Sequence, residues 1–197
     1  MTRLKTHYQG YMKQDLVLRT PYQNTHETPT IEKIVLNFGM KGVIKEKKRI
    51  LIALLGMEAI SGQKAITTRS KKMVATLKIR KDMIIGCKAT LRGSNLFSFI
   101  DKLNTIVLPR VKQFKGFPLK SVNKKGNFSF RVKNSLSFLE LESQYELFQD
   151  LPVLDISVVT TTDNRNKSLD LLSGLQLPFT QKYKDEQELS DVNLLFR

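Results

Sequence analysis

A dense group of cations occupies residues 61–92, the part of the chain best suited to chemistry with a polyanion. Nine of these residues are Lys or Arg, and only one, Asp82, is acidic. Apolar residues are spread among the cations: Ile66, Val74, Leu77, Ile79, Ile84 and Ile85. Since such residues favour burial, the stretch should be partly folded and should hold its cations at defined places. Charge that attracts phosphates, on a scaffold that sets register, is what a nucleic-acid-binding surface requires.

The residue types that enzymes and metal sites use are not arranged as a site in this sequence. His7 and His26 stand far apart with no cysteine near either, which argues against zinc. The glycines form neither a P-loop nor a dinucleotide-binding pattern. Glu140 and Glu142 could pair on a strand face, but with no histidine or metal motif beside them they are predicted to be solvated surface carboxylates. Cys87 is the one cysteine, so no internal disulfide forms, and its place in an alternating segment predicts a core residue. We therefore expect no catalytic residue, no metal site and no cofactor.

Three segments alternate between apolar and polar residues, as strands with one wet face do. They are residues 31–38, 87–92 and 127–133. The polar sides of the first two carry Asn37, Lys88, Thr90 and Arg92. One such strand alone is more often a solvated surface, because solubilising cations are common there. Three strands with the same chemistry predict one sheet whose polar, basic face is open.

The charge of the chain is large and unevenly distributed. Its 197 residues carry a formal net charge of +15, which favours nucleic acid over an acidic small substrate as the partner. Residues 1–139 hold 28 basic and 7 acidic groups, whereas residues 140–197 hold 5 and 11. The C-terminal third is therefore not expected to face the same polyanion. The length predicts one domain, residues 1–180, with an acidic C-terminal extension over residues 181–197, and no apolar run is long enough to span a membrane.

The remaining patterns predict helices, further strands and one irregular segment. Helices are predicted over residues 3–20, 45–60, 94–108 and 164–175, and strands over residues 65–68 and 151–162. Pro21 and Pro109 are expected to end the first and third helices. Residues 69–84 have too little apolar content for a compact element, and their cations repel one another, so they predict an irregular, mobile arm.

Short motifs spread over residues 3–179 resemble one family. They include Arg3-Leu4-Lys5 with Tyr8, Pro29 with Ile31-Glu32-Lys33-Ile34-Val35-Leu36-Asn37, Ile60-Ser61-Gly62-Gln63-Lys64, Ser70-Lys71-Lys72, Thr90-Leu91-Arg92-Gly93, Leu108-Pro109-Arg110, Gly126-Asn127-Phe128 and Leu177-Pro178-Phe179. The chain resembles the large-subunit ribosomal protein that binds 5S ribosomal RNA in the central protuberance, family five in the universal naming. It departs from the family at Ala65, where Pro is usual, and at residues 123–125, where Asp-Gly-Arg is usual.

The resemblance implies an α+β fold: a curved antiparallel sheet with helices packed on one side, an open basic sheet face and a long basic arm. It implies a structural role in the large ribosomal subunit that supports translation, with no enzymatic activity. The open face of family members binds 5S rRNA, which here predicts contacts from Asn37, Gln63, Lys64, Thr67, Lys88, Thr90 and Arg92. Their arm reaches the peptidyl-site (P-site) tRNA, which here predicts contacts from Arg69, Ser70, Lys71, Lys72, Lys78, Arg80 and Lys81.

The same resemblance implies further partners and a location. These partners are large-subunit rRNA and neighbouring ribosomal proteins, including one of the small-subunit head, to which the protein helps form a bridge; no membrane and no small-molecule substrate is implied. Residues 13–16 and 145–148 are most similar to mitochondrial members, which favours a ribosome of the mitochondrial matrix over the alternatives, the bacterial cytoplasm or a plastid.

Two other classes of function remain open from the residues alone. A free regulator that recognises RNA loops by stacking is disfavoured because aromatic residues are only 8% of the chain, Trp is absent and the phenylalanines alternate inward. An enzyme of nucleotidyl or phosphoryl transfer would need clustered carboxylates for magnesium, and the basic part of the chain has only scattered ones.

Overall fold

The fold is built on one antiparallel sheet. The computed structural model describes residues 2–20, 22, 24–40 and 48–180, so the predicted extension over residues 181–197 lies outside the described residues. The strands are β1 (Ile31–Gly39), β2 (Ile66–Arg69), β3 (Ile84–Leu91), β4 (Phe128–Val132) and β5 (Leu154–Thr160). They pair in the order β2-β3-β1-β5-β4, which leaves β2 and β4 as the edges of an open sheet. With helices packed on this sheet, the predicted α+β class is confirmed.

One face of the sheet forms the wall of the hydrophobic core. Leu36 lies opposite Ala89 on one neighbouring strand and Ile156 on the other, and all three are buried. The same register turns Cys87 on β3 and Val132 on β4 inward. Because successive strand residues point to opposite sides, these positions leave the intervening residues on the other face. The inward and outward sides predicted for β1, β3 and β4 are confirmed.

Helices cover the inward face. The helix α3 (Arg49–Ser61) packs on β3, where the buried thiol of Cys87 donates a weak hydrogen bond to the Ala53 carbonyl at 3.6 Å. The N-terminal helix meets α4 (Gly93–Lys102) through the rings of Tyr8 and Phe97, whose centroids are 5.9 Å apart. The other helices are α1 (Arg3–His7), α2 (Lys13–Arg19), α5 (Leu108–Arg110), α6 (Leu139–Glu142), α7 (Tyr145–Phe148) and α8 (Arg165–Gly174). Within the described ranges, none of the helices combines the length and the apolar character that crossing a membrane requires.

A π-helical turn, Tyr8–Met12, joins α1 and α2 into one rod. The buried residues of the rod recur at every fourth position: Leu4, Tyr8, Met12 and Leu16. At about 3.6 residues per turn, each such step in an α-helix overshoots a full turn by about 40°, so Leu16 would rotate away from the core. The wider π turn absorbs this rotation. Tyr11, next to the buried Met12, is 74% exposed and does not belong to the buried side.

The observed ends of two helices differ from the predicted ones. The described part of α3 begins at Arg49, and residues 41–47, which include its predicted start, lie outside the described residues. Pro109 does not end the third helix, because the helix continues through a π turn, Leu103–Val107, into α5. Pro109 is the second residue of the three-residue α5, and the continuous helix ends one residue later, at Arg110.

The carboxylates Glu140 and Glu142 lie on α6, not on a strand. Glu140 forms an ion pair with Lys102 at 2.5 Å, and Glu142 forms one with Arg110 at 2.8 Å. They therefore attach α6 to the helical segment that precedes it. Both residues are exposed, so the prediction of solvated surface carboxylates is confirmed. The alternation of apolar and acidic residues in this short segment was compatible with either element.

Buried hydroxyls hold the turn that leads into β4. Thr160 Oγ1 donates to the Gly126 carbonyl at 3.1 Å, and Ser168 Oγ lies 3.1 Å from Thr160 Oγ1 and 2.7 Å from Thr162 Oγ1. Gly126 has a φ of +74°, and a Cβ there would lie 2.2 Å from Ser168 Oγ. Glycine is thus required both by the conformation and by the close approach, and the start of β4 is fixed against β5 and α8.

Candidate nucleic-acid interface

A row of polar side chains crosses the open face of the sheet. Lys88 on β3 lies opposite Asn37 on β1, Asn37 opposite Asp155 on β5, and Asp155 opposite Arg131 on β4. Arg131 Nε donates to Asp155 Oδ1 at 2.7 Å, so the carboxylate of this row is neutralised by its neighbour. The row therefore presents a cation at its β3 end, an amide in the middle and a compensated ion pair at its β4 end.

The next row along the strands is neutral. It consists of Thr90, Val35, Ser157 and Ser129, in the order of the strands. The hydroxyls of Ser129 and Ser157 are hydrogen-bonded at 3.1 Å. Gln63, in the connection between α3 and β2, donates from Nε2 to the Thr90 carbonyl at 2.8 Å. Hydroxyl and amide groups in such a row suit ribose hydroxyls and phosphate oxygens.

The structure brings together most of the residues predicted to contact 5S rRNA. Asn37, Lys88 and Thr90 lie on the open face, and Gln63 is tied to Thr90 at its border. Arg92 is exposed one residue beyond β3, in phase with Lys88 and Thr90, where it is the N-cap of α4. Lys64 is exposed in the connection that also contains Gln63.

Thr67 does not share the open face. The β2–β3 register places it opposite Cys87, on the side that the helices cover, whereas its neighbour Ile66 lies opposite Lys88. Ile66 is 65% exposed, so the open-face position of this edge strand is apolar. Thr67 was expected on the open face, and this expectation is wrong. The sequence indicates a short strand here, but it does not show which face of the sheet each residue occupies.

Lys88 and Arg92 are the cations of this face whose charge is not compensated by a neighbour. Both are exposed, and neither forms an ion pair with an acidic side chain in the described part of the chain. Lys33 is also on the open side of β1, but its Nζ lies 3.2 Å from Glu32 Oε1. The positive potential of the face is therefore concentrated on β3 and at the start of α4.

Residues 69–84 form a projecting hairpin. Val74 and Ile79 form an antiparallel bridge around the 3-10 turn Ala75–Leu77. Lys78 has a φ of +54°, the left-handed conformation that reverses the chain. At its base, the Ser70 N–H donates to the Met83 carbonyl at 2.8 Å. Backbone hydrogen bonds thus order the arm without a packed core, and the expectation of an irregular arm is wrong.

The arm presents charge along its sides and apolar groups near its tip. The predicted arm cations are all exposed: Arg69, Lys71, Lys72, Lys78, Arg80 and Lys81. Met73 and Leu77 are 71% and 59% exposed. Ser70 differs from the other predicted arm residues because it is buried, and its Oγ donates to the Lys72 carbonyl at 2.6 Å. It shapes the base of the hairpin and is not presented to a ligand.

Four residues that share the open face were not selected from the sequence. They are Ser129 and Arg131 on β4, and Asp155 and Ser157 on β5. The β4 pair lies on the polar side that the alternation of residues 127–133 predicts, although neither residue was predicted to contact RNA. The β5 pair lacked such a signal because Val153 and Val159, on the same side of the strand as Asp155 and Ser157, make the segment apolar on both sides.

Other site chemistry is not supported by the described residues. Among them, no group of three or more His, Cys, Asp or Glu side chains is placed to hold a metal ion. Burial raises the pKa of Cys87 to about 11, so at neutral pH this group is a thiol and not a nucleophile. Burial also raises the pKa of Tyr8 to about 12, and its hydroxyl donates to the Pro29 carbonyl at 2.8 Å. Both groups belong to the core.

Known proteins match nearly the whole chain. The family model "Ribosomal protein L5" matches residues 24–80, and the model of the C-terminus of the same ribosomal protein family matches residues 84–179. The large ribosomal subunit protein uL5m of Reclinomonas americana is 42% identical over 182 residues, which cover 92% of this chain and 100% of that relative. Together with the fold and the open basic face, these matches show that the chain belongs to the ribosomal protein L5 family, as a mitochondrial-type structural protein of the large ribosomal subunit and not an enzyme.

Proposed function

We propose that the open face of the sheet binds 5S rRNA and that the arm, residues 69–84, contacts the P-site tRNA. The observation that carries this proposal is the pair of uncompensated cations, Lys88 and Arg92, in phase with Thr90 and beside Asn37 on an exposed sheet face. Charge fixes an RNA backbone on such a face, and the hydroxyl and amide groups between the cations set its register.

Each group on the face has a distinct role. Lys88 and Arg92 form charge-assisted bonds to phosphates, and replacing Arg92 by Ala costs about 1–3 kcal/mol of binding. Asn37 supplies both donors and an acceptor, and Thr90 supplies a hydroxyl for a ribose 2′-OH. Gln63 positions Thr90, because its side-chain Nε2 donates a hydrogen bond to the Thr90 carbonyl at 2.8 Å.

The arm is suited to a second, separate RNA contact. It projects from the end of β2, it is ordered by its own backbone hydrogen bonds, and its six cations are exposed. The exposed Met73 and Leu77 can cover a base or a ribose while the flanking lysines hold phosphates. The family resemblance favours the P-site tRNA as the proposed target.

The C-terminal third is proposed to face protein. Residues 140–197 carry more acidic than basic groups, and Tyr145 and Leu147 are exposed on α7 beside Glu146. A cationic ribosomal protein suits this surface, and the family resemblance favours one of the small-subunit head as the proposed partner.

Two double variants test the division of labour between face and arm. Lys88→Ala with Arg92→Ala is expected to weaken 5S rRNA binding by the isolated protein, with circular dichroism unchanged. Lys71→Ala with Lys72→Ala is the matched control, which removes the same charge from the arm. It is expected to leave 5S rRNA affinity nearly intact and to lower P-site tRNA occupancy on ribosomes that carry it. In this arm variant, the slope of the logarithm of the tRNA-dependent binding constant against the logarithm of the salt concentration should become smaller by roughly two units if both lysines contact phosphates. Loss of 5S rRNA binding in the arm variant, with normal tRNA occupancy, would reverse the assignment.

A further inference from the structure

A groove of about 510 Å³ lies where the described part of the chain ends. One wall is formed by the end of α5 and the loop that follows it, and the other by the segment after α8. We call it the terminal groove, and it shares no residue with the polar rows of the open face. Its apolar lining consists of Leu108, Pro109, Val111, Phe114, Pro178 and Phe179.

The two walls of the terminal groove are held together by hydrogen bonds and by ring packing. The Phe117 N–H donates to the Pro178 carbonyl at 2.7 Å, and the Thr180 N–H donates to the Phe117 carbonyl at 3.0 Å. Phe117 is buried, and the ring of Phe114 meets it edge-on with the centroids 5.0 Å apart. The groove is therefore preformed, which lowers the entropic cost of filling it.

The rim of the terminal groove is positively charged. Lys112, Lys115 and Lys120 are exposed on the loop that forms the first wall, and none of them has an ion-pair partner among the described residues. Residues 102–139 contain no acidic residue, so the sequence around the groove supplies no compensating charge. An occupant that combines acidic and apolar groups would fit both the rim and the lining.

The chain supplies such a segment directly beside the groove. Residues 185–191 contain four acidic residues and no cation, and residues 192–196 contain Val, two Leu and Phe. Thr180 lies against the first wall, since its Cγ2 would be 3.5 Å from a Cβ on Gly116, the neighbour of Lys115. The five steps from Thr180 to Asp185 span at most about 17 Å when fully extended, so the acidic residues begin close to the rim.

We infer that residues 185–196 bind in the terminal groove of their own chain. The acidic residues lie against the lysines of the rim, and the apolar residues Val192, Leu194, Leu195 and Phe196 lie against the lining. An RNA would use the lysines but not the aliphatic lining. The bound segment keeps the rim lysines of the free protein from pairing with unselected polyanions. The inference does not depend on which RNA the open face or the arm binds.

The short connection makes this binding effective even if the contacts are weak. A segment attached so close to its site has an effective concentration on the order of 1 mM. If the separate peptide bound with a Kd of roughly 0.1 mM, the attached segment would occupy the groove in about nine-tenths of the molecules. A second copy of the chain would need to be present at a similar, roughly millimolar concentration to compete with it.

The first test measures the reactivity of individual lysines in the full-length protein. A brief pulse of an acetylating ester is followed by mass spectrometry. One variant, Leu194→Ser with Leu195→Ser and Phe196→Ser, removes the apolar groups and leaves every charge in place. The other, Asp185→Asn with Glu186→Gln, Glu188→Gln and Asp191→Asn, removes the acidic groups. At nine-tenths occupancy, the acetylation rates of Lys112 and Lys115 are expected to rise about tenfold in both variants. Lys71 and Lys72 of the arm are the control within the same molecules, and their rates are expected to stay the same.

The second test locates the bound segment. A benzophenone is attached to Asn193→Cys in the full-length protein and activated by light. Cys87 is buried, so the added cysteine is labelled selectively. Cross-links are expected within one chain, to residues 104–116 and 176–179.

Four outcomes would overturn the inference. Unchanged acetylation of Lys112 and Lys115 in both variants would show that the segment does not cover them. A rise in the acid variant alone would reveal a general effect of net charge without docking. Cross-links between two chains would identify a second copy as the occupant. Cross-links mainly to another apolar surface, such as the exposed Leu51 and Leu55 of α3, would place the segment elsewhere.

Discussion

The ion pair between Arg131 and Asp155 is expected to matter for RNA binding more than for folding. Its partners are 75% and 38% exposed, and exposed pairs contribute about 0–1 kcal/mol to stability. Replacing Arg131 by Ala should therefore leave the protein folded. It would, however, leave the carboxylate of Asp155 uncompensated on the proposed 5S-binding face.

The size of the effect follows from the row across the sheet. A phosphate bound by Lys88 lies about two strand spacings, ~10 Å, from Asp155 because Asn37 stands between them. At an effective dielectric constant of about 20, the repulsion between the two negative charges is roughly 1.5 kcal/mol, and salt near 0.1 M reduces it by about half. We therefore expect Arg131→Ala to weaken 5S rRNA binding by about 0.5–1.5 kcal/mol, a factor of roughly 2–10.

A double-mutant cycle measured by fluorescence anisotropy tests this reasoning. Asp155→Asn should restore most of the affinity lost in Arg131→Ala, and as a single change it should tighten binding because Arg131 is then free to attract phosphate. Lys133→Ala is the control, since it removes a cation from just beyond the same strand without exposing a carboxylate. If Arg131→Ala weakens binding equally with and without Asp155→Asn, then Arg131 acts as a direct phosphate contact and the screening argument is wrong.

Two further predictions concern the core. Gly126→Ala should destabilise the protein by about 2–4 kcal/mol in urea unfolding, because the new Cβ would lie 2.2 Å from Ser168 Oγ and residue 126 has a left-handed conformation. Gly10→Ala is the control, since a Cβ at that position has no atom within 4 Å. Similar losses of stability in the two variants would contradict the packing argument. Since the pKa of Cys87 is raised to about 11, its thiol ionises first in the unfolded chain, so stability should fall as pH rises from about 9 to 11. Unfolding measured across that range should show a smaller fall for Cys87→Ala than for the wild type, and parallel curves would refute the assignment.

The faces of the long strands could be predicted from the sequence because a period of two is a local property. Residues 31–38 and 87–92 each show which side chains point outward, and the structure agrees. What this period does not show is which residue of one strand lies beside which residue of another. The row from Lys88 to Arg131 depends on the pairing of four strands that are distant in sequence, so it could not be assembled beforehand.

The mistaken local expectations have physical causes of their own. Ile66 lies on an edge strand and is 65% exposed on the open face. From polarity alone, the open face would have been assigned to Thr67 and the covered face to Ile66. The arm lacks a core but gains order from backbone bonds such as that from Ser70 to Met83, which leave little trace in composition. At both places the local structure is set by main-chain hydrogen bonds. The identity of the side chains does not indicate which main-chain groups form these bonds.

The π turn in the N-terminal rod has a consequence for how this family can vary in length. Losing one residue between Tyr8 and Met12, for example Gly10, would change the spacing of the buried positions from four-four-four to four-three-four, the spacing of an ordinary α-helix. Leu4 and Leu16 would still face the core, whereas a deletion elsewhere in a helix rotates everything after it by about 100°. Loss of a single residue at this turn can therefore be accommodated inside the helix, where deletions are normally disruptive.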